Sequence, residues 1–156
     1  MGYLSKLTGK ITEIRSGRAS TQAAALCYRL SEDGQLQILL LTSRDNGRWV
    51  LPKGNVEVHE SAHKCAKREA MEEAGIMGFV KKKPLGYYTY VKSLQKPPYL
   101  VSVHLLKVES TVANFLEKGQ RQQRWLTPME AALLVEEPEL KAMFRLVTAL
   151  GSEPQA

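Results

Sequence analysis

The apolar positions of this chain fall into two rhythms. TQAAALCYRL (residues 21–30) and LQILLLT (36–42) are strand-length runs, joined through the turn signal Glu32-Asp33-Gly34. Ile38 to Leu41 is apolar on both faces, which predicts a central strand. Asp45-Asn46-Gly47 marks a loop, and Trp49-Val50-Leu51 reads as a short strand stopped by Pro52. The stretch from Phe79 to Val91 reads as a strand interrupted at Pro84 to Gly86, and 99–108 alternate as a further strand. Residues 109–120 read as a polar loop and Trp125-Leu126 as a short strand. The helical rhythm governs the rest. Ser61 is the expected N-cap and Gly75 the C′ stop of one helix. Thr127-Pro128 opens a second, and a third spans about 137 to 149. Residues 1–19 are polar, basic and expected to be irregular, and the tail from 151 to 156 is expected to fray. Strands and helices mix without strict alternation, so the expected fold class is α/β, one domain with a mixed sheet between helices.

The Ser61–Gly75 helix carries the chemistry. At about 100° per residue, Ala62, Cys65, Ala66, Glu69, Ala70 and Glu73 share one stripe. Lys64, Lys67 and Arg68 lie on the opposite side. The inward stripe therefore begins small and apolar and ends acidic, with Glu72 on its edge. Glu69 and Glu73 repel across one turn, at a cost of a few tenths of a kcal/mol. All three acids also oppose the negative end of the helix dipole, each by roughly 0.3–1 kcal/mol. A divalent cation reverses these penalties, and hard carboxylate oxygens suit Mg²⁺ or Mn²⁺. A solvated acidic face is the ordinary reading of such a run; the flanking residues decide against it.

Charge and cysteine content sharpen the picture. Lys and Arg number 22 against 16 acids, a net charge of +6. With the acids concentrated around the helix, the remaining surface is more basic still. A basic surface around an acidic cluster fits a polyanionic substrate held by cations; nucleic acid is compatible but not favoured. Cys27 and Cys65 fall on inward positions and read as buried hydrophobes rather than a disulfide framework, which makes a cytoplasmic location the default expectation. No apolar run is long enough to span a bilayer, so no membrane partner is expected. His104 lies opposite Val101, Val103 and Leu105 on its strand and reads as an ordinary surface or satisfied histidine. His59 and His63 have no zinc-site spacing.

Gly54, Glu60, Arg68-Glu69, Ala70, Glu72-Glu73, Gly75 and Ile76 stand at the spacings of the Nudix box, with Ala70 smaller than the usual aliphatic residue. The chain thus resembles the Nudix hydrolases. SRDNGRWVLPKGNVE (43–57) and RQQRWLTPMEA (121–131) are similar to segments of the diphosphoinositol polyphosphate phosphohydrolases, relatives that also cleave diadenosine polyphosphates. Lys53, in the LPKG wording, is shared with dinucleoside polyphosphate hydrolases. Gln22 departs from the pattern, since animal members carry a phosphate-binding Arg there; Arg18, nearby, is a candidate substitute.

The resemblance implies an α/β/α sandwich with the box as a loop–helix–loop, and metal-dependent hydrolysis of a phosphoanhydride by in-line water attack. It implies Glu69, Glu73 and Glu72 as ligands of Mg²⁺, with Mn²⁺ substituting. The Lys53 backbone carbonyl is a further ligand, and Glu117 or Glu57 a possible extra carboxylate. Glu72 is the expected general base. Arg18, Ser43, Arg44, Lys53, Arg121 and Lys96 are the expected substrate contacts. Gly54, Glu60, Arg68 and Gly75 are expected to support the box structurally. Tyr87, Tyr88 and Tyr90 could offer a base-stacking face, with sheet packing the plainer reading. RNA 5′-end pyrophosphate removal, nucleoside di- or triphosphate hydrolysis and a non-catalytic binding module of the same fold are the competing functions.

Overall fold

The structure is a computed structural model, and it describes residues 20–151. Arg18 and the stretches expected to be irregular, Gly151 apart, lie outside the described residues. The strands are β1 (Ser20–Leu30), β2 (Leu36–Thr42), β3 (Trp49–Val50), β4 (Lys53–Asn55), β5 (Ile76–Val80), β6 (Gly86–Tyr90), β7 (Tyr99–Thr111) and β8 (Gln123–Leu126). The helices are α1 (Ala62–Ala74), α2 (Pro128–Leu134) and α3 (Pro138–Val147), the last running into a 3₁₀ turn at Thr148–Gly151.

All eight strands join one mixed sheet of order β3-β2-β1-β7-β5, with β4 on β1, β6 on β7 and β8 on β2. β1 and β7 are parallel, from Ser20 opposite Tyr99 to Tyr28 opposite Lys107; the other pairs are antiparallel. Period-two alternation sends side chains of β1 and β2 into two cores. Ala24, Leu26, Ile38 and Leu40 pack toward α2 and α3, beside Leu140 and Phe144. Ala23, Ala25, Cys27, Leu39 and Leu41 pack toward α1, beside Cys65, Ala66 and Ala70. This is the expected α/β/α sandwich, with β2 buried on both faces. Among the described residues, no helix is long and apolar enough to cross a membrane.

The segment after the box is interrupted at Pro84 as expected, but its first strand begins earlier than Phe79. β5 starts at Ile76, directly after the helix, and the break at Pro84 separates it from β6. β7 runs on to Thr111, because β5 supplies its partner, so part of the expected 109–120 loop is strand. Ser61 holds the N-cap position of α1, but its side chain accepts no cap hydrogen bond. That entry is held instead by the Glu57 N–H donating to Glu60 Oε1 (3.1 Å) and by the Cys65 thiol against the Gly54 and Asn55 carbonyls. Thr127 forms the full capping box with Glu130. Both cysteines are free and buried. His104 is buried, bonded to the Lys81 carbonyl and the Ser102 hydroxyl at 3.1 Å each, so it is the satisfied rather than the surface histidine.

Candidate active site

Two backbone events bring the acids together. Gly75 ends α1 in the left-handed region (φ 69°), with its N–H returning to the Ala70 and Met71 carbonyls. β4 then aligns along β1, with Ala23 opposite Gly54 and Ala24 opposite Lys53, and runs past the acidic end of α1. A Cβ at position 54 would sit 2.0 Å from Glu69 Oε1. Only glycine lets the backbone of β4 approach that carboxylate so closely. Pro52 and Gly54 make this segment read as loop in the sequence; its strand character comes from the ladder with β1.

Glu69 and Glu73 are buried, and each offers an oxygen within 4.8 Å of the others in a trio completed by Glu117. Burial pushes both carboxyls above the usual range; Arg68 opposes this for Glu69 and Arg121 for Glu73. Three converging carboxylates, two of them costly to ionise in place, are a donor set of the chemistry and charge a hard divalent cation requires. Glu57 lies apart, exposed and 3.8 Å from Arg68. Glu72 is also outside the trio. It sits one third exposed at the helix edge, 3.2 Å from Arg68 Nη1.

Arg68 is the hub of the box. Its guanidinium donates to Glu60 Oε2 (2.8 Å) and Oε1 (3.0 Å), Glu69 (2.9 Å), Glu72 (3.2 Å) and the Asn55 carbonyl (3.2 Å). The Arg68 hydrogen bonds hold Glu60 down to about 2. The cation thus lies between the supporting acid and the site acids, fixing their orientation.

Glu69, Glu72, Glu73 and Glu117 line a cleft of about 550 Å³. Ser43, Arg44, Lys53 and Arg121, four of the expected substrate contacts, line the same cleft. Lys96 does not; with Lys92, it helps hold the Asp45 carboxyl below its ordinary range. Lys53 is the cleft cation that burial weakens. Burial lowers its ammonium to about 8, Nζ lies 3.9 Å above the Tyr90 ring, and it donates to Gln22 Oε1 at 3.3 Å. Gln22 in turn donates to Asn55 Oδ1 (3.1 Å), so the residue that departs from the family pattern lines the cleft and steadies Lys53.

Arg121 is nine-tenths buried, and its surroundings are more acidic than a simple phosphate contact would require. It reaches Glu73 (3.4 Å), Glu117 (3.3 Å) and the Thr42 carbonyl (3.2 Å). Of the tyrosines, Tyr88 packs in the core and Tyr87 is exposed away from the cleft, while Tyr90 lines it. Sequence reasoning missed Lys92, Tyr99 and Gln120 as cleft residues. The ion pair of Lys92 with Asp45 (2.8 Å) has no signature in spacing, since it joins two loops far apart in the chain.

Comparison with known proteins agrees with this architecture. The NUDIX domain model matches residues 20–147. Nudix hydrolase 13, mitochondrial, of Arabidopsis thaliana is 28% identical over 97% of this chain and 87% of its own length. Nudix hydrolase 12, mitochondrial, of the same plant is 30% identical over 84% and 73%. Among solved structures, the C. elegans Ap4A hydrolase superposes with a TM-score of 0.68 at 22% identity, covering 85% of this chain and 98% of that one. A NUDIX hydrolase from Nitrosomonas europaea gives 0.65 at 20% identity, over 87% and 93%. The family match, spanning the sheet, the box and the cleft alike, identifies the chain as a member of the Nudix hydrolase family.

Proposed function

We propose that the cleft hydrolyses a phosphoanhydride bond in diphosphoinositol polyphosphates or diadenosine polyphosphates, with Mg²⁺ as the cofactor and Mn²⁺ able to replace it. One observation carries this reading: a carboxylate trio and the cations Arg44, Lys53 and Arg121 line the same cleft. Glu69, Glu73 and Glu117 would hold the cation, with the Lys53 carbonyl as the expected backbone ligand. When bound, the cation supplies electrostatic stabilisation at the phosphoryl oxygens and acidifies water. Ser43, Arg44, Lys53 and Arg121 bind the flanking phosphates and set the scissile bond in line with the attacking water. Arg68 orients Glu72, which takes the proton of that water as general base and returns it to solvent.

The cations serve either substrate class. The Tyr90 face is already covered by the Lys53 ammonium, so Tyr99, tilted against Tyr90 with ring centroids 6.2 Å apart, is the remaining cleft aromatic to meet a base. The test is steady-state hydrolysis with Mg²⁺ at one salt concentration. A diphosphoinositol polyphosphate is compared with diadenosine tetra-, penta- and hexaphosphate. The Glu72→Gln variant is expected to lose turnover by about 10²–10⁴-fold while keeping substrate affinity. Turnover of neither class with Mg²⁺ or Mn²⁺ would overturn the substrate assignment and transfer it to RNA 5′ ends or nucleoside triphosphates. Unchanged turnover in Glu72→Gln would remove Glu72 from the base role.

A further inference from the structure

Glu117 stands where the two halves of the cleft meet. Its carboxylate belongs to the trio with Glu69 and Glu73. One of its oxygens, Oε1, is ion-paired with Arg44 Nη1 at 3.0 Å and accepts a hydrogen bond from Arg121 Nη2 at 3.3 Å. The loop that carries it is fixed to the helix, because the Glu117 N–H donates to the Glu72 carbonyl at 2.9 Å. The backbone at Glu117 therefore cannot lift off the helix without breaking that bond, while its side chain is held only by its ion pairs.

The two arginines differ in a way that matters. Arg121 is nine-tenths buried and tied to the Thr42 carbonyl and Glu73, and its Nε is buried without a partner. That unpaired donor marks a cationic pocket whose hydrogen-bonding capacity the protein itself does not fill. Arg44 is more than half exposed and is held over the cleft by Glu117 and by Gln120 Oε1 at 2.9 Å. A guanidinium held by a carboxylate is partly neutralised and has fewer N–H groups to offer a phosphate. A carboxylate engaged by two guanidiniums is, equally, a weaker cation ligand.

We infer that Glu117 couples the metal and phosphate halves of the site: it is shared between the carboxylate trio and Arg44, so drawing it to a cation frees Arg44 for the substrate. This rests on the proposed metal-dependent reading. Its consequence is thermodynamic. With neither ligand bound, Arg44 and Glu117 satisfy one another, and each weakens the other's ligand. Linkage makes the effect reciprocal, so the cation strengthens phosphate binding by the same factor that phosphate strengthens cation binding. Direct attraction between cation and phosphate also gives positive coupling, so a double-mutant cycle on Arg44 and Glu117 must separate the two.

The experiment measures each ligand alone. Mn²⁺ binding is read by electron paramagnetic resonance for the full chain, Arg44→Gln, Glu117→Gln and the double variant, without substrate. Tripolyphosphate binding is read by calorimetry in EDTA for the same proteins. Arg44→Gln is expected to tighten Mn²⁺ about fivefold or more when Glu117 is present, and much less in the Glu117→Gln background. Glu117→Gln is expected to tighten metal-free tripolyphosphate, and to do so only when Arg44 is present. Equal effects in both backgrounds would overturn the coupling, because general electrostatics acts whether or not the partner is there. Glu73→Gln is the separate control on the underlying reading. Mn²⁺ binding that Glu73→Gln abolishes leaves that reading standing whatever the cycle shows. Failure of the parent protein to bind Mn²⁺ would overturn both.

Discussion

At the scale of single residues, Gly54 shows how a main-chain atom count shapes a reaction centre. Its missing side chain is the space Glu69 occupies. Gly54→Ala would put a methyl group where the carboxylate oxygen lies, so Glu69 must rotate away from Glu73 and Glu117. A displacement of about an ångström in a positioned group lowers rates by roughly 100-fold. We expect that loss in kcat/KM for Gly54→Ala with a cooperative thermal transition retained; activity within a fewfold of the parent would show that Glu69 has slack. Much of this scale was legible in the sequence. The box spacing alone names Gly54, Glu60, Arg68, Glu69, Glu72 and Glu73, and the helical stripe turns Glu69 and Glu73 inward. What spacing does not carry is the double duty of Arg121, whose carboxylate partners come from a helix and a loop that only the folded sheet brings beside it.

At the scale of elements, α1 matters for how it stops as much as for what it bears. Gly75 reverses the chain so that β5 begins on the next residue, and Glu69 and Glu73 are left buried against β4 rather than in solvent. A Cβ there would meet Phe115 Cδ1 at 2.5 Å and the Val112 carbonyl oxygen at 2.7 Å, in a backbone region that disfavours side chains by about 1–2 kcal/mol. Gly75→Ala is therefore expected to lower the stability of the protein by at least about 1–2 kcal/mol in urea unfolding. An unchanged midpoint would mean the helix end can rearrange freely. Helix starts and stops were readable because capping is local chemistry: Thr127 and Gly75 behave as their types predict. Ser61 shows the limit, since its side chain lends no bond to the helix it begins. β4 shows it again. Lys53 to Asn55 contain nothing that favours a strand, and they become one because β1 offers a ladder.

At the scale of the whole molecule, the cleft is assembled from segments that are distant along the chain. Gln22 comes from the first strand, Lys53 and Gly54 from the fourth, the glutamates from α1, and Glu117 and Arg121 from the loop before the last strand. Basic charge read from composition points to a phosphorylated substrate, yet it could not say which of the 22 cations face the site, because that is decided by strand register and loop packing. The parallel pairing of β1 with β7 binds these parts together.

That pairing also sets a timetable. A ribosome delivers β1 early, with its alanine-rich stretch apolar on both faces, and the strand that must lie parallel to it emerges only after the whole box has been made. Closing so long a loop costs entropy before any contact repays it, which places folding on the order of milliseconds to seconds. Phosphate-cleaving competence should therefore arrive last. On refolding from urea, activity is expected to recover with the slowest phase of tryptophan fluorescence, and recovery in an earlier phase would show that the site forms before the sheet is closed. Until then, an unfinished chain carries its acids and its cations apart.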